Sequence, residues 1–353
     1  MPEAHEPGSY LRATLDGQPS ELARILADNS ARLAAKRLAG SARVFIVGTG
    51  TSYHGALVGQ FMLRSAGIEA WAVRAFEFAN YGPELRDGDG LILLSHRGTK
   101  RFSKESLDAF ASRSDRWIAI TGAGAPLEGE GVVRTVDQER SPVHTASHTG
   151  AMLRLAQIAS ALGEPPWVGE LEEIPTSAGW VIDEYRDMIA SDAREIELGG
   201  LVHFVGGGPA RATAYEGALK IREATHVISA EGHDVEGVLH GPLISIQRGQ
   251  AVVVVAHAGK ALERTIEVAR ALSDIGARLI LVGGAADDVA GLEGAIAVQG
   301  YRTLPHHEVL APIVNVIPLQ LLAYAASRHA GVDADSFRRD EPEYAAAQDK
   351  FRL

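Results

Sequence analysis

Cysteine is absent from the 353 residues. That excludes disulfides, thiol nucleophiles and cysteine-ligated zinc, and leaves His, Asp and Glu as the only strong metal ligands. Basic runs stop at two residues, as at Arg338-Arg339, in a chain of formal net charge −11 and pI near 5.6. This balance argues against nucleic acid or an acidic membrane surface as a partner, so any bound anion must meet a local positive site. Apolar stretches such as Leu91–Leu94 and Ala251–Ala256 are far too short to span a bilayer and suit buried strands. The opening residues carry Glu3, Glu6 and Asp16 rather than an apolar core, so no signal peptide is expected and the cytoplasm is the default address.

Several nucleotide and hydrolase signatures are also missing. G-x-G-x-x-G fails twice, because Tyr53 stands where a third glycine should follow Gly48 and Gly50, and Arg211 stands after Gly206 and Gly208. No G-x4-G-K-[ST] and no G-x-S-x-G occurs. No nicotinamide, nucleoside triphosphate or other cofactor is therefore expected.

What is present is a duplication. Val44–Val47 runs into Gly48-Thr49-Gly50-Thr51-Ser52 and a helix, and Val202–Val205 runs into Gly206-Gly207-Gly208-Pro209 and a helix. Leu91–Leu94 ahead of Ser95-His96-Arg97-Gly98 is matched by Val252–Val255 ahead of Ala256-His257-Ala258-Gly259. Trp117–Thr121 answers Leu279–Val282, and Val132–Val136 answers Ala295–Val298. Alternating short buried strands and helices predict an α/β fold of two tandem, doubly wound parallel sheets, with ligands beyond the carboxyl ends of the strands. The expected division is an N-terminal segment over 1–24, domains over 25–177 and 178–335, and a tail over 336–353. The linker falls around Gly163–Ser177, which holds Pro165, Pro166 and Pro175, ahead of a helix expected from about Ala178 to Leu198. The charged, aromatic tail after Gly331 reads either as a disordered end or as a flap over a site.

Three segments carry candidate chemistry. Glu216, Lys220 and Glu223 stand at i, i+4 and i+7, which an α-helix stacks on one face. Taken alone, that pattern also fits a solvated charged stripe. The preceding Gly206–Pro209 turn changes the balance, since it bares a helix N-terminus to an anionic ligand. In the first half, Gly50, Thr51 and Ser52 offer backbone N–H groups and hydroxyls suited to an oxyanion, or simply to a helix cap. Ser95-His96-Arg97-Gly98-Thr99-Lys100-Arg101 concentrates cationic side chains at a strand end and favours an anion. His54 follows the first loop and fits contact with a ligand, capping or packing. His144 with His148, and His306-His307-Glu308, each offer too few ligands for a closed metal site, so no metal is expected.

These residues, with Gly50-Thr51-Ser52-Tyr53, Glu216–Lys220 and Glu223, Ala230-Glu231, Leu239-His240-Gly241-Pro242, Ala311-Pro312-Ile313 and Pro318–Tyr324, resemble the tandem sugar isomerase (SIS) family. Within it the pattern is closest to the isomerase half of glucosamine-6-phosphate synthase. The resemblance implies an aldose–ketose isomerase acting on a hexose with an anionic 6-substituent. Glu223 would shuttle a proton between C1 and C2, His240 would help open the ring, often in a neighbouring subunit, and Lys220 and Glu216 would orient Glu223 or stabilise the enediolate. Thr51, Ser52, Ser95, Val143 and Thr145 match positions that line the sugar or its phosphate. It further implies a homodimer with shared sites. Departures are the missing amide-hydrolysing domain, Ala347 in place of the tail lysine with Lys350 nearby, and an anion loop rebuilt with Arg97 and Lys100. The rebuilt loop admits a sulfonate as well as a phosphate. The alternatives are an amino-sugar-phosphate deaminase or deglycase, and a non-catalytic sugar-phosphate-binding regulator.

Overall fold

Runs of Val, Ile and Leu supply the strands, and glycines at their carboxyl ends let the following helices approach closely. The computed structural model describes residues 5–284 and 298–351. Strands β1 (Arg43–Gly48), β2 (Ala70–Arg74), β3 (Asp89–Leu94), β4 (Trp117–Thr121) and β5 (Val132–Arg134) form one parallel sheet in the order β2-β1-β3-β4-β5. Strands β6 (Leu201–Gly206), β7 (Ser229–Asp234), β8 (Ala251–Val255), β9 (Arg278–Val282) and β10 (Val298–Tyr301) form a second, β7-β6-β8-β9-β10. The second order is the first carried through the duplication. Of the expected strand Ala295–Val298, only Val298 lies among the described residues. In each sheet the chain steps to one side of the opening strand and then crosses to the other. This creates a switch point between β1 and β3, and another between β6 and β8, where adjacent loops diverge and leave a crevice.

The helices are α1 (Ser9–Ala27), α2 (Ser30–Ala34), α3 (Thr51–Ser65), α4 (Ala75–Tyr81), α5 (Arg101–Ala111), α6 (Ala146–Leu162), α7 (Ile174–Asp192), α8 (Ala210–Thr225), α9 (Pro242–Ser245), α10 (Leu262–Ile275), α11 (Pro312–His329) and α12 (Pro342–Gln348). No helix among the described residues is long and apolar enough to cross a membrane. The expected helix from Ala178 begins earlier, at Ile174, and ends at Asp192 rather than Leu198. Pro175 sits in its first turn, where the missing N–H would have had no partner in any case. Tail residues 342–348 are helical, and Arg338 stacks on Tyr344 with its guanidinium carbon 3.4 Å from the ring centre.

The described residues divide into two compact units. The first holds Gly17–Glu139, His144–Glu172 and the tail from Arg338. Its core packs Phe45, Val47, Leu91, Leu93 and Ala119 of the sheet against Leu107 and Phe110 of α5. Arg154 of α6 is fully buried, yet its guanidinium donates to the carbonyls of Arg134, Ile25 and Asp28 and to Asp28 Oδ2 at 2.5 Å. A buried cation is tolerable on those terms because nearly every donor has an acceptor.

The second unit holds Glu173–Phe337, Arg140–Val143 and the N-terminal residues through Asp16. Val205, Val252, Val254 and Leu281 form its core with Val268 and Leu272 of α10. Helix α11 is buried along nearly its whole length and carries no charge before Arg328, as expected of a helix enclosed on all sides. Two aspartates cap α1 from the far end of the sequence. Asp333 Oδ1 accepts from the backbone N–H of Gly8 at 2.8 Å, and Asp335 accepts from Tyr10 and Leu11 at 2.9 and 3.1 Å.

Gly217 fixes the position of α8. A β-carbon there would stand 2.7 Å from Leu319 Cδ1 of α11 and 2.8 Å from the Phe204 ring of β6. Gly217→Val is therefore expected to cost about 1–3 kcal/mol through overpacking, read from chemical denaturation, whereas unchanged stability would mean that the helix has room to shift.

Candidate active site

In the first unit, β1 delivers the chain to Gly50, whose φ of 56° turns it into α3 at Thr51. Gly48 has no space for a side chain, since a β-carbon would lie 2.5 Å from the backbone of Ser52. Across the switch point, β3 ends at Leu94 and Ser95 follows it. A tight turn follows, closed by Gly98 N–H donating to Ser95 O at 3.0 Å, with Gly98 at φ 68°. Thr51, Ser52, Ser95, His96, His144 and Ser147 are among the residues lining a recess of about 20 Å³ between these loops.

Two polar atoms in this recess have no protein partner: Ser95 Oγ and His96 Nδ1 are both buried and unsatisfied among the described residues. The backbone N–H of Glu139 donates to His96 Nε2 at 3.2 Å, which leaves the proton of the neutral ring on Nδ1. Burial, assisted by the charge of Arg97, pushes His96 down to about 4. Two residues that line the recess therefore each carry a buried, orphaned donor, an imidazole N–H and a hydroxyl, a costly arrangement unless an acceptor comes to them.

Thr145 plays a different part. It is fully buried, and its backbone N–H donates to Glu139 Oε2 at 3.0 Å while that of Ser147 donates to Oε1 at 2.6 Å. An internal carboxylate thus holds the N-terminus of α6. Arg97 and Thr99 are exposed and Lys100 is partly buried, and none of the three lines the recess. Val143 is buried, with its N–H 3.3 Å from Ser141 Oγ, and belongs to the second unit. His54 is half-buried beside Tyr53.

In the second unit the charged stripe is not a solvated face. Glu216 and Lys220 are fully buried. Lys220 Nζ lies 3.3 Å from Glu216 Oε1 and 2.5 Å from Glu223 Oε2. Burial acts to lower the Lys220 pKa, but the two carboxylates outweigh it and hold the ammonium above the usual lysine range. Glu223 is the outer member, with 19% of its side chain exposed. One cation between two carboxylates leaves an excess negative charge, and Glu223 is the member that solvent or a ligand can reach. His240 stands apart from this group, after the turn Gly237–Leu239, with 80% of its side chain exposed and its Nε2 3.8 Å from Glu236 Oε2.

The second sheet's counterpart of the Ser95–Gly98 loop is filled from within. Lys260 N–H donates to Glu308 Oε2 at 2.9 Å, and any β-carbon at Gly259 would stand 2.0 Å from that oxygen. The space left there, beside Gly207, His257 and Asn315, is about 10 Å³, close to the least that holds one water. Neither histidine grouping noted in the sequence gathers three ligand atoms among the described residues. His306 instead pairs with Ser177 at 2.8 Å, and His96 and His144 meet edge to face at 5.1 Å.

Sequence reasoning missed Glu139, Ser147 and Glu308. An acid shortly before a helix start was the available signal for Glu139. Glu308 had none, because its contact with Lys260 spans 48 residues.

The SIS domain family matches residues 37–159 and 201–330. The chain belongs to the SIS domain family. It is 30% identical over 305 residues to glutamine-fructose-6-phosphate aminotransferase (isomerizing) of Methanothermobacter thermautotrophicus, a match covering 83% of this chain and 50% of the relative. The chain spans about half the length of the curated relatives it matches. In fold it is similar to the C-terminal domain of glucosamine-fructose-6-phosphate aminotransferase from Francisella tularensis, with a TM-score of 0.79 and 20% identity over 95% of this chain and 99% of that one. It is also similar to tagatose-6-phosphate ketose/aldose isomerase from Escherichia coli, with a TM-score of 0.77 and 20% identity over 94% and 98% of the two chains. Each SIS match encloses one five-stranded sheet and its crevice loops.

The depressed His96 pKa gives a pH signature. An unfolded chain protonates this ring below about pH 6.5 while the folded one does not until about 4, so its contribution to stability is complete above 6.5 and lost as pH falls through 4. Between pH 7 and 4 the native protein is expected to lose about 3 kcal/mol more stability than His96→Asn. Equal losses in urea denaturation would place the ring in solvent.

Proposed function

We propose that this SIS protein is an aldose–ketose isomerase acting on a hexose with an anionic 6-substituent. The observation that carries the reading is the charged group on α8: a buried ammonium fixed between two carboxylates, of which Glu223 alone reaches the surface. Supporting it are relatives whose names include an isomerizing aminotransferase and a ketose/aldose isomerase.

The chemistry requires one base. Moving a carbonyl between C2 and C1 means removing a carbon-bound proton, passing through an enediolate, and returning the proton to the adjacent carbon. Glu223 is assigned that transfer. Lys220 holds it ionised and oriented and shields its charge from Glu216, which fixes the ammonium from the buried side. General acid–base catalysis of this kind supplies about 10²–10⁴ in rate. His240 is assigned ring opening, and its exposed imidazole suits a group that acts on the site of a second copy in a homodimer.

The anion grip is assigned to the first unit. Ser95 Oγ and His96 N–H offer two neutral donors, and Thr51 and Ser52 add hydroxyls at the start of α3. A recess of about 20 Å³ takes anion oxygens rather than a whole sugar, so the hexose lies outside it. Arg97 and Lys100 flank the loop and supply the long-range charge, which serves a phosphate or a sulfonate.

Glu223→Gln is expected to lower kcat by about 10²–10⁴ while the protein stays folded, with loss of the solvent-deuterium uptake at the carbon beside the carbonyl that isomerisation produces. Retained turnover would remove Glu223 from the reaction. Ammonia or amine release from an amino-sugar phosphate would replace isomerisation with deamination or deglycation, and binding without turnover would mark a regulator. For the anion, turnover of sugar 6-phosphates and 6-sulfo sugars is to be compared in native protein and Arg97→Ala. The variant should raise KM for the preferred anion by about two- to fivefold, the effect of one exposed, screened charge. An unchanged KM would sink the role of Arg97.

A further inference from the structure

A group of ligating side chains lies in the second unit that the proposed isomerase chemistry does not use. His203 is on β6, and Glu231 and His233 are on the edge strand β7. The parallel register sets His203 opposite Glu231 and Val205 opposite His233, so the alternation of strand side chains puts all three on one face. It is the face turned away from α8. Phe204 and Gly232, the intervening residues, are the ones that meet that helix, at Gly217 and Tyr215.

We infer that His203, Glu231 and His233 form a binding site for a divalent late transition-metal ion of the zinc class. The ligand atoms already converge. His203 Nδ1 is 3.0 Å from His233 Nε2, His233 Nε2 is 3.7 Å from Glu231 Oε2, and all three lie within 4.8 Å of one another. Ligands at about 2.0–2.1 Å from a tetrahedral ion stand about 3.3 Å apart, so the two measured separations bracket the required edge. Two imidazoles and a carboxylate are a ligand set that zinc favours, with water completing four-coordination.

Burial suits the same purpose. His203 is 1% exposed, and 11% of the His233 side chain is accessible, so the imidazoles have already lost most of their water. Glu231, with 57% of its side chain exposed, leaves an entry path from solvent. In the metal-free pair a single proton lies between Nδ1 of His203 and Nε2 of His233; the ion takes its place, and that proton moves to the other nitrogen of the ring that carried it. Sequence spacing could not reveal the group, since His203 and His233 are 30 residues apart and meet only through strand pairing.

The position gives the ion a mechanical consequence. After His233 the chain passes to Asp234, whose Oδ1 accepts from Glu236 and Gly237 at 3.1 and 2.8 Å, and then to His240. An ion joining β6 to β7 fixes the edge strand just ahead of the segment that carries His240.

The test uses the full chain, stripped with a chelator and titrated with Zn²⁺ alone against a chromophoric competitor, with Co²⁺ absorption as a report of geometry. One equivalent per chain is expected, with an intense visible cobalt band, and thermal stability should rise on zinc addition. His233→Asn should weaken binding by at least about a hundredfold and abolish the band, and the exposed Glu231→Gln should weaken it by at least about tenfold. His329→Gln, at an exposed histidine outside the group, should bind as the native protein does. No stoichiometric uptake, or uptake unchanged in both His233→Asn and Glu231→Gln, would overturn the site. Circular dichroism of each stripped variant separates loss of ligand from loss of fold, and Glu231→Gln keeps the test decisive if His233→Asn unfolds.

Discussion

An ammonium with almost no exposed surface, on Lys220, is held inside the second unit by two carboxylates of its own helix. Taking that charge from water would cost several kcal/mol, and the paired carboxylates offset the cost only if α8 keeps its helical geometry and its place on the sheet. The surrounding small residues follow from this need. Gly217 lets α8 close onto Phe204 and Leu319, and Gly232 lets β7 pass beneath Tyr215. The apolar helix α11 seals the outer side. The first unit solves the same problem with Arg154, which is satisfied mainly by carbonyl oxygens and so is purely structural. Lys220 differs because one of its partners reaches outward.

The two sheets share a strand order but differ in what occupies the loop after the third strand. In the first unit that loop ends in unsatisfied donors, Ser95 Oγ and His96 Nδ1. In the second, Glu308 reaches into the loop and accepts from the backbone N–H of Lys260. A duplicated framework therefore carries one loop with open donors and one that is satisfied internally, while the buried charged group of the second unit lies on a helix. Such a division allows the two copies to diverge in role without changing topology.

Much of this was legible in the sequence. The repeated strand–glycine–helix pattern gave both sheets, because fully buried parallel strands such as Leu91–Leu94 and Val252–Val255 are written as unbroken apolar runs. The spacing of Glu216, Lys220 and Glu223 gave their common face, though not their burial, since an E-x3-K-x2-E stripe reads identically on a wet surface and in a core. Helix α7 starts earlier than the proline pattern predicts, because Pro175 occupies its first turn instead of breaking the chain ahead of it. Arg97 and Lys100 drew attention as cations, whereas the recess is lined by the neutral Ser95 and His96. Glu139 and Glu308 escaped notice because their importance lies in which backbone N–H groups they meet, and that depends on loops folding back.

The capping of α1 by Asp333 and Asp335 has a bearing on how the chain is made. A ribosome releases Gly8, Tyr10 and Leu11 more than 300 residues before their hydrogen-bond acceptors. The first turn of α1 therefore stays open to water until Asp333 and Asp335 have been made, and residues 8–11 find their place only then. Residues 333–335 of the second unit thus secure a turn that is made more than 300 residues earlier.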